Sequence, residues 1–212
     1  GEGADTITGA SSTVALIVDG QAGDDRIVAA TAAASDSLVG GAGDDTIVFA
    51  NDGTAGAADN SYYTAADTVT AGTGTDTLEV AMGDADSVAF TKVTDAEGTV
   101  TGFGSNTTGI DQITVDNGTA TAGITTTVSI DDGFVAQSDN NSVAIDAKIA
   151  TDSTFVVSAA VTGADYTVTV GGTEQDITLT DTVNNYVTLG DVADTGEAGI
   201  ADQAGITVTQ LS

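Results

Sequence analysis

Short runs of alternating aliphatic and polar residues fill most of the chain, and in its first third they are phased by glycine and aspartate. Asp5-Thr6-Ile7, Asp25-Arg26-Ile27, Asp45-Thr46-Ile47 and Asp76-Thr77-Leu78 each place an aliphatic residue two positions after an aspartate. Period two is the strand period, and β-branched residues dominate the runs. A turn precedes each of them: Gly1-Glu2-Gly3-Ala4, Gly20-Gln21-Ala22-Gly23-Asp24, Gly40-Gly41-Ala42-Gly43-Asp44 and Ala71-Gly72-Thr73-Gly74-Thr75. The shared pattern is G-x-D-x-U, with U aliphatic, and its aspartates stand 20, 20 and 31 positions apart.

A second column lies between these units. Asp36-Ser37-Leu38-Val39 precedes Asp45-Thr46-Ile47-Val48 by nine residues, as Asp67-Thr68-Val69-Thr70 precedes Asp76-Thr77-Leu78-Glu79, with Leu16-Ile17-Val18 as a degenerate first member. A turn of 20 residues then divides into steps of eleven and nine. The step of 31 is the same turn with eleven residues inserted, and residues 51–66 read as that loop. A weaker fifth unit, Gly109-Ile110-Asp111-Gln112-Ile113, follows after 35 residues.

Beyond about residue 117 the pattern changes to longer alternating runs between polar turns: 124–130, 142–149, 154–161, 166–170, 176–179, 185–189 and 206–211. Seven short strands at this spacing predict an antiparallel β-sandwich, immunoglobulin-like in outline. The chain is therefore expected to be all-β, with a parallel β-roll or solenoid over 1–117 followed by a sandwich over 118–212. No Pro- or Ser-rich linker marks the boundary, so a continuous core is compatible with it.

Charge narrows the chemistry. Three cationic side chains against 32 acidic ones leave a net charge of −29, which repels nucleic acid and anionic membranes. The chain has no His and no Cys, so imidazole bases, thiolates, structural zinc, haem and iron–sulfur clusters are excluded. No run of 18 apolar residues is present, and none spans a bilayer. The first residue is glycine and no signal peptide is visible, which suggests a processed product or a fragment. Mean hydropathy is nonetheless +0.14; a chain this apolar and this acidic is expected to fold once a hard cation neutralises its carboxylates.

The repeats resemble the RTX repeat, G-G-x-G-x-D-x-U-x, of the parallel β-roll. Gly40 to Ile47 matches it at every fixed position, while Gln21 and Ala71 replace glycines and the turn has 20 residues where two nonapeptides give 18. A short, irregular solenoid like those of bacterial surface-layer proteins fits these departures. The resemblance implies several bound Ca2+ ions between stacked turns, with Asp5 and Asp25, Asp25 and Asp45, and Asp45 and Asp76 around successive ions. It also implies ligand carbonyls near Gly3, Ala22, Asp24, Ala42, Asp44, Thr73 and Thr75, further ligands at Asp36 and Asp67, and an internal ladder of Ile7, Ile27, Ile47 and Leu78. Without a cation, stacked carboxylates repel by about 1–4 kcal/mol per pair.

Other acidic clusters (Asp84 and Asp86; Asp131, Asp132 and Asp139; Asp191, Asp194 and Glu197) match no EF-hand spacing and read as loop carboxylates or a second calcium set. Paired carboxylates alone do not make a glycosidase here, because there is no Trp and there are only 4 Tyr and 5 Phe to build a sugar platform. Tyr62-Tyr63 reads as a local packing pair or a contact surface. The leading expectation is a secreted, calcium-dependent, non-enzymatic structural protein that assembles with copies of itself into a surface layer or extracellular filament, with a cell-surface polysaccharide as a further candidate partner. The RTX resemblance implies type I secretion and folding in external calcium. The alternatives are an adhesin module and the calcium-binding tail of a secreted enzyme.

Overall fold

The computed structural model describes residues 1–9, 12–30, 35–50, 63, 66–81, 87–90, 93–94, 100–101, 106–116, 125–139, 141–148, 154–160, 167–173, 176–181, 187–193 and 207–210. The protein is all-β apart from one short helix among these residues. In chain order the strands are β1 (Thr6–Thr8), β2 (Ile17–Ala22), β3 (Arg26–Val28), β4 (Ser37–Ala42), β5 (Thr46–Phe49), β6 (Thr68–Thr73), β7 (Thr77–Ala81), β8 (Ser87–Phe90), β9 (Val93–Thr94) and β10 (Val100–Thr101). They continue with β11 (Thr107–Thr108), β12 (Gln112–Asp116), β13 (Thr125–Asp131), helix α1 (Asp132–Val135), β14 (Ser142–Lys148), β15 (Thr154–Ala160), β16 (Thr167–Thr173), β17 (Asp176–Asp181), β18 (Val187–Ala193) and β19 (Thr207–Gln210).

Three sheets of parallel strands organise the chain. An eight-stranded sheet runs β1-β3-β5-β7-β12-β14-β16-β18, a four-stranded sheet runs β11-β6-β4-β2, and a five-stranded sheet runs β19-β17-β15-β13-β8. In the first half each rung is a strand of the four-stranded sheet, a glycine turn, and a strand of the eight-stranded sheet. From β7 onward the strand of the eight-stranded sheet comes first and its partner lies in the five-stranded sheet. The only antiparallel pair among the described strands is β9 with β10.

The antiparallel sandwich expected over 118–212 is therefore corrected. All seven expected runs overlap the described strands β13 to β19, with β14, β15 and β19 wholly inside theirs, but β13 pairs parallel with β8 and β15, β14 with β12 and β16, and β17 with β15 and β19. The physical reason is connectivity. Alternation specifies a strand with two unlike faces, whereas a parallel pairing needs a long connection carrying the chain back to the same end. Here each strand's next neighbour in sequence belongs to another sheet. The eight-stranded sheet passes residue 117 without a break, through the β12–β14 pairing.

Register follows the repeats. Ile7 lies beside Ile27, Ile27 beside Ile47, Ile47 beside Leu78, Leu78 beside Ile113 and Ile113 beside Ile145. From Ile27 to Ile145 every member is buried, and each such side chain stabilises the fold by about 1.5–3 kcal/mol. The second column is equally regular, with Val18 beside Leu38 and Leu38 beside Val69. Residues 51–62 of the inserted loop, Tyr62 included, lie outside the described residues. Tyr63 is buried, its ring centroid 5.0 Å from that of Phe49, and its hydroxyl is 2.8 Å from Thr107 Oγ1.

One departure from the repeat has a backbone consequence. Gln21 lies beside Gly41, and Gly41 beside Gly72; the two glycines have φ of 124° and 118°, and Gln21 is held at 79°. A side chain in that region is strained, so the surrounding rung imposes the conformation.

Candidate functional site

The glycine turns join the two sheets of each early rung and bring the repeat aspartates into one file. Asp25, Asp45 and Asp76 are buried, and Asp5 at the first rung is exposed. The backbone N–H of each aspartate donates to the carboxylate of the next: Asp5 to Asp25 Oδ1 at 2.8 Å, Asp25 to Asp45 Oδ1 at 2.8 Å, Asp45 to Asp76 Oδ1 at 2.8 Å, and Asp76 to Asp111 Oδ2 at 3.2 Å. The sequence separations of these pairs are 20, 20, 31 and 35 residues. The phase read from the repeats is the phase of this ladder.

One oxygen of each inner carboxylate is thereby satisfied, and the other is not. Asp25 Oδ2, Asp45 Oδ2 and Asp76 Oδ2 are buried with no hydrogen-bond donor. A buried carboxylate oxygen without a donor is costly, and the cost is relieved by a proton or a cation. Burial pushes the Asp76 carboxyl up to about 6, against the relief of the Asp45 N–H and with added repulsion from Asp45, Asp111 and Asp139. Burial also raises Asp45, helped by repulsion from Asp25, Asp24 and Asp44, and raises Asp111.

Two of these oxygens pack closely against a glycine Cα. A Cβ at Gly20 would fall on Asp25 Oδ2 and the Gly40 carbonyl oxygen together, and a Cβ at Gly40 would fall on Asp45 Oδ2 and the Ala71 carbonyl oxygen. A carboxylate oxygen and a carbonyl oxygen thus lie against the same glycine at two successive rungs. Oxygen donors of this kind suit a hard cation such as calcium. Ala71 stands in the same column, where Asp25 and Asp45 have Gly20 and Gly40.

The remaining predicted ligands have identifiable occupations. The carbonyls of Ala22, Ala42 and Thr73 accept the N–H groups of Gly3, Gly23 and Gly43 at 2.7, 2.7 and 2.9 Å. On the exposed side of the turns, Asp44 N–H donates to Asp24 Oδ1 and Thr75 N–H to Asp44 Oδ1, forming an outer ladder that runs in the opposite sense. Asp36 and Asp67 are buried and clamp backbone: Asp36 Oδ1 accepts from Leu16 N–H, Asp36 Oδ2 from Ala30 N–H, and Asp67 Oδ1 from Asp36 N–H. Asp131 Oδ1 accepts from Phe134 N–H at the start of α1. Asp84, Asp86, Asp194 and Glu197 lie outside the described residues.

Successive aspartates of the file meet through backbone N–H donors, one carboxylate to a rung. Among the described residues no three acidic side chains converge as a metal-holding group. Among the described residues, Arg26 pairs with Glu79 at 3.1 Å and the Gly1 ammonium with Asp5 at 3.4 Å, and neither cation reaches Asp25, Asp45 or Asp76.

Sequence reasoning missed how the fifth rung is closed. Gln137 Oε1 accepts the Ile110 N–H and its Nε2 donates to the Ile110 carbonyl, both at 3.1 Å, while Asp139 N–H donates to Asp111 Oδ1 at 3.2 Å. The segment after α1 thus stands where a further glycine turn would. No helix among the described residues is long and apolar enough to cross a membrane. No family model, no curated protein and no solved structure matches this chain.

Proposed function

We propose that this protein is a calcium-dependent structural protein whose parallel coil is an RTX-like roll, with calcium held beside Asp25 and Asp45 by their free carboxylate oxygens and the carbonyls of Gly40 and Ala71. The observation that carries the reading is the pair of buried, donor-less Oδ2 atoms, each gathered with a backbone carbonyl oxygen against the same glycine. Calcium accepts such oxygens at about 2.3–2.6 Å and completes its shell from carbonyls and water. Binding it replaces repulsion along the file by attraction to both rungs, and the binding free energy adds to folding.

The wider role follows from the same charge balance. A chain with net charge −29 resists self-association until divalent ions neutralise it. External calcium then acts as folding ligand and as assembly switch for a secreted, non-catalytic protein that forms a surface layer or extracellular filament.

Calcium titration tests this, followed by circular dichroism and light scattering, with EDTA reversal and electron microscopy of the product. The expected result is cooperative gain of β-signal on calcium addition, then ordered lattices or fibres, both reversed by EDTA. Full β-structure in EDTA together with no ordered assembly at any calcium concentration overturns the reading.

A further inference from the structure

Among the described strands the four-stranded sheet ends at β11, although the eight-stranded sheet runs on from β12 to β14. The residues ahead of β14, where a sixth glycine-aspartate turn would lie, are built differently. We propose that the segment from Phe134 to Asn141 is a stop, which closes the β11 edge of the four-stranded sheet against a strand from a second copy of this chain. The inference rests on register and hydrogen bonds, not on bound calcium.

Register places this segment at a turn position. Ala144 lies beside Gln112, Gln112 beside Thr77 and Thr77 beside Thr46. Three residues ahead of each, Asn141 falls in the column of Gly109, Gly74 and Gly43. All three glycines have positive φ, and Asn141 keeps it at 52°; asparagine is one of the few side chains that visit this region readily. One residue ahead, Val143 falls in the column of Asp111, Asp76 and Asp45. The turn is kept and its carboxylate is gone, so the N–H ladder stops: Asp111 N–H donates to the Asp76 carbonyl instead.

The earlier rungs add a strand to the four-stranded sheet at this point, and here a side chain takes the strand's place. A neighbouring strand offers its partner a main-chain carbonyl and an N–H. The Gln137 amide offers the same two groups: Oε1 accepts the Ile110 N–H and Nε2 donates to the Ile110 carbonyl, both at 3.1 Å. The Gln137 main-chain carbonyl accepts the Gly109 N–H, also at 3.1 Å. Three backbone groups directly after β11 are thus occupied where an incoming strand would pair. The clamp is braced from behind. Phe134 and Val135 are fully buried, and Asp131 Oδ1 accepts the Phe134 N–H. The Ser138 hydroxyl donates to the Val135 carbonyl and accepts the Ser142 N–H, both at 2.9 Å, and Asp139 N–H donates to Asp111 Oδ1. Open sheet edges pair with strands of other copies, and natural sheets cover them. A glutamine amide satisfies the edge without presenting a new strand for the next one to join.

The test uses the full chain with Gln137→Ala, and with Gln137→Glu as the milder variant that keeps the acceptor for Ile110 N–H and loses the donor. Both are compared with the parent at the lowest calcium concentration that gives the parent its full β-signal. Amide exchange is read at residues 107–110, with residues 21–28 as the reference for an intact coil, and sedimentation velocity reads the oligomeric state over a range of concentrations. In Gln137→Ala, exchange at Ile110 is expected to rise about tenfold at low concentration while 21–28 stay protected. The variant then associates where the parent does not, and residues 107–110 regain protection as concentration rises. Unchanged exchange at Ile110, the parent's oligomeric state at every concentration, or association that leaves 107–110 unprotected overturns the proposal. Lost protection at 21–28 in both variants also overturns it, since the segment then holds the whole coil and not one edge.

Discussion

Asp76 offers a quantitative check on the file of carboxylates, because it is fully buried and its carboxyl titrates near 6 in the fold against 3.8 for the free side chain. The folded chain holds a proton there between those values while the unfolded chain has lost it. Folding is therefore favoured by protonation: the contribution is fully present below about pH 4, declines as pH rises, and is gone above about pH 6. A shift of about two pK units corresponds to roughly 3 kcal/mol of stability, and Asp45 and Asp111 shift in the same direction. Circular dichroism of EDTA-treated protein from pH 4 to pH 7 measures it as the fraction folded. Asp76→Asn keeps an oxygen for the Asp45 N–H and removes the charge, so the variant is expected to match the parent at pH 4 and to exceed it by about 3 kcal/mol at pH 7. Stability that is flat or rising with pH in the metal-free parent, or a slope that survives Asp76→Asn unchanged, refutes the reasoning.

Three further outcomes follow from the same geometry. Gly40→Ala drives a methyl group onto Asp45 Oδ2 and the Ala71 carbonyl, and is expected to cost about 2–3 kcal/mol in urea unfolding with calcium weakened or lost in titration calorimetry. Asp45→Asn should weaken calcium binding at least tenfold in calorimetry, while Asp132→Asn at the start of α1 should leave it unchanged; equal effects would remove Asp45 from the ligand set. Tyr63→Phe strands the buried Thr107 hydroxyl and should lower thermal stability by about 1–2 kcal/mol, without altering calcium affinity.

The legible part of this fold is the part where turn chemistry marks the phase. Gly3, Gly23, Gly43 and Gly74 with Asp5, Asp25, Asp45 and Asp76 repeat closely enough that the register of β1, β3, β5 and β7 was readable from spacing alone, whereas the N–H ladder onto the carboxylates was not. The nine-residue offset likewise placed Leu38 and Val69 in one column. In the second half the strands were readable but not their pairing. Val168 and Val170 alternate with threonines as they would in either sense, and no glycine-aspartate turn counts the rungs. Nor could spacing separate an aspartate that clamps backbone, as Asp36 does, from one whose second oxygen stays free, as in Asp45. That difference arises from Ala30 N–H reaching Asp36 Oδ2, a contact that the repeat spacing does not announce. Gln137 and Asp139 close the fifth rung from 27 and 28 residues away, and no local pattern announces it.

The most direct test of the account is a crystal of the full chain grown in calcium, with anomalous scattering used to locate the ions. Anomalous peaks beside Asp25 Oδ2 and Asp45 Oδ2, within bonding distance of the Gly40 and Ala71 carbonyls, are the predicted result. Ordered density for both carboxylates with no anomalous signal at either would contradict it.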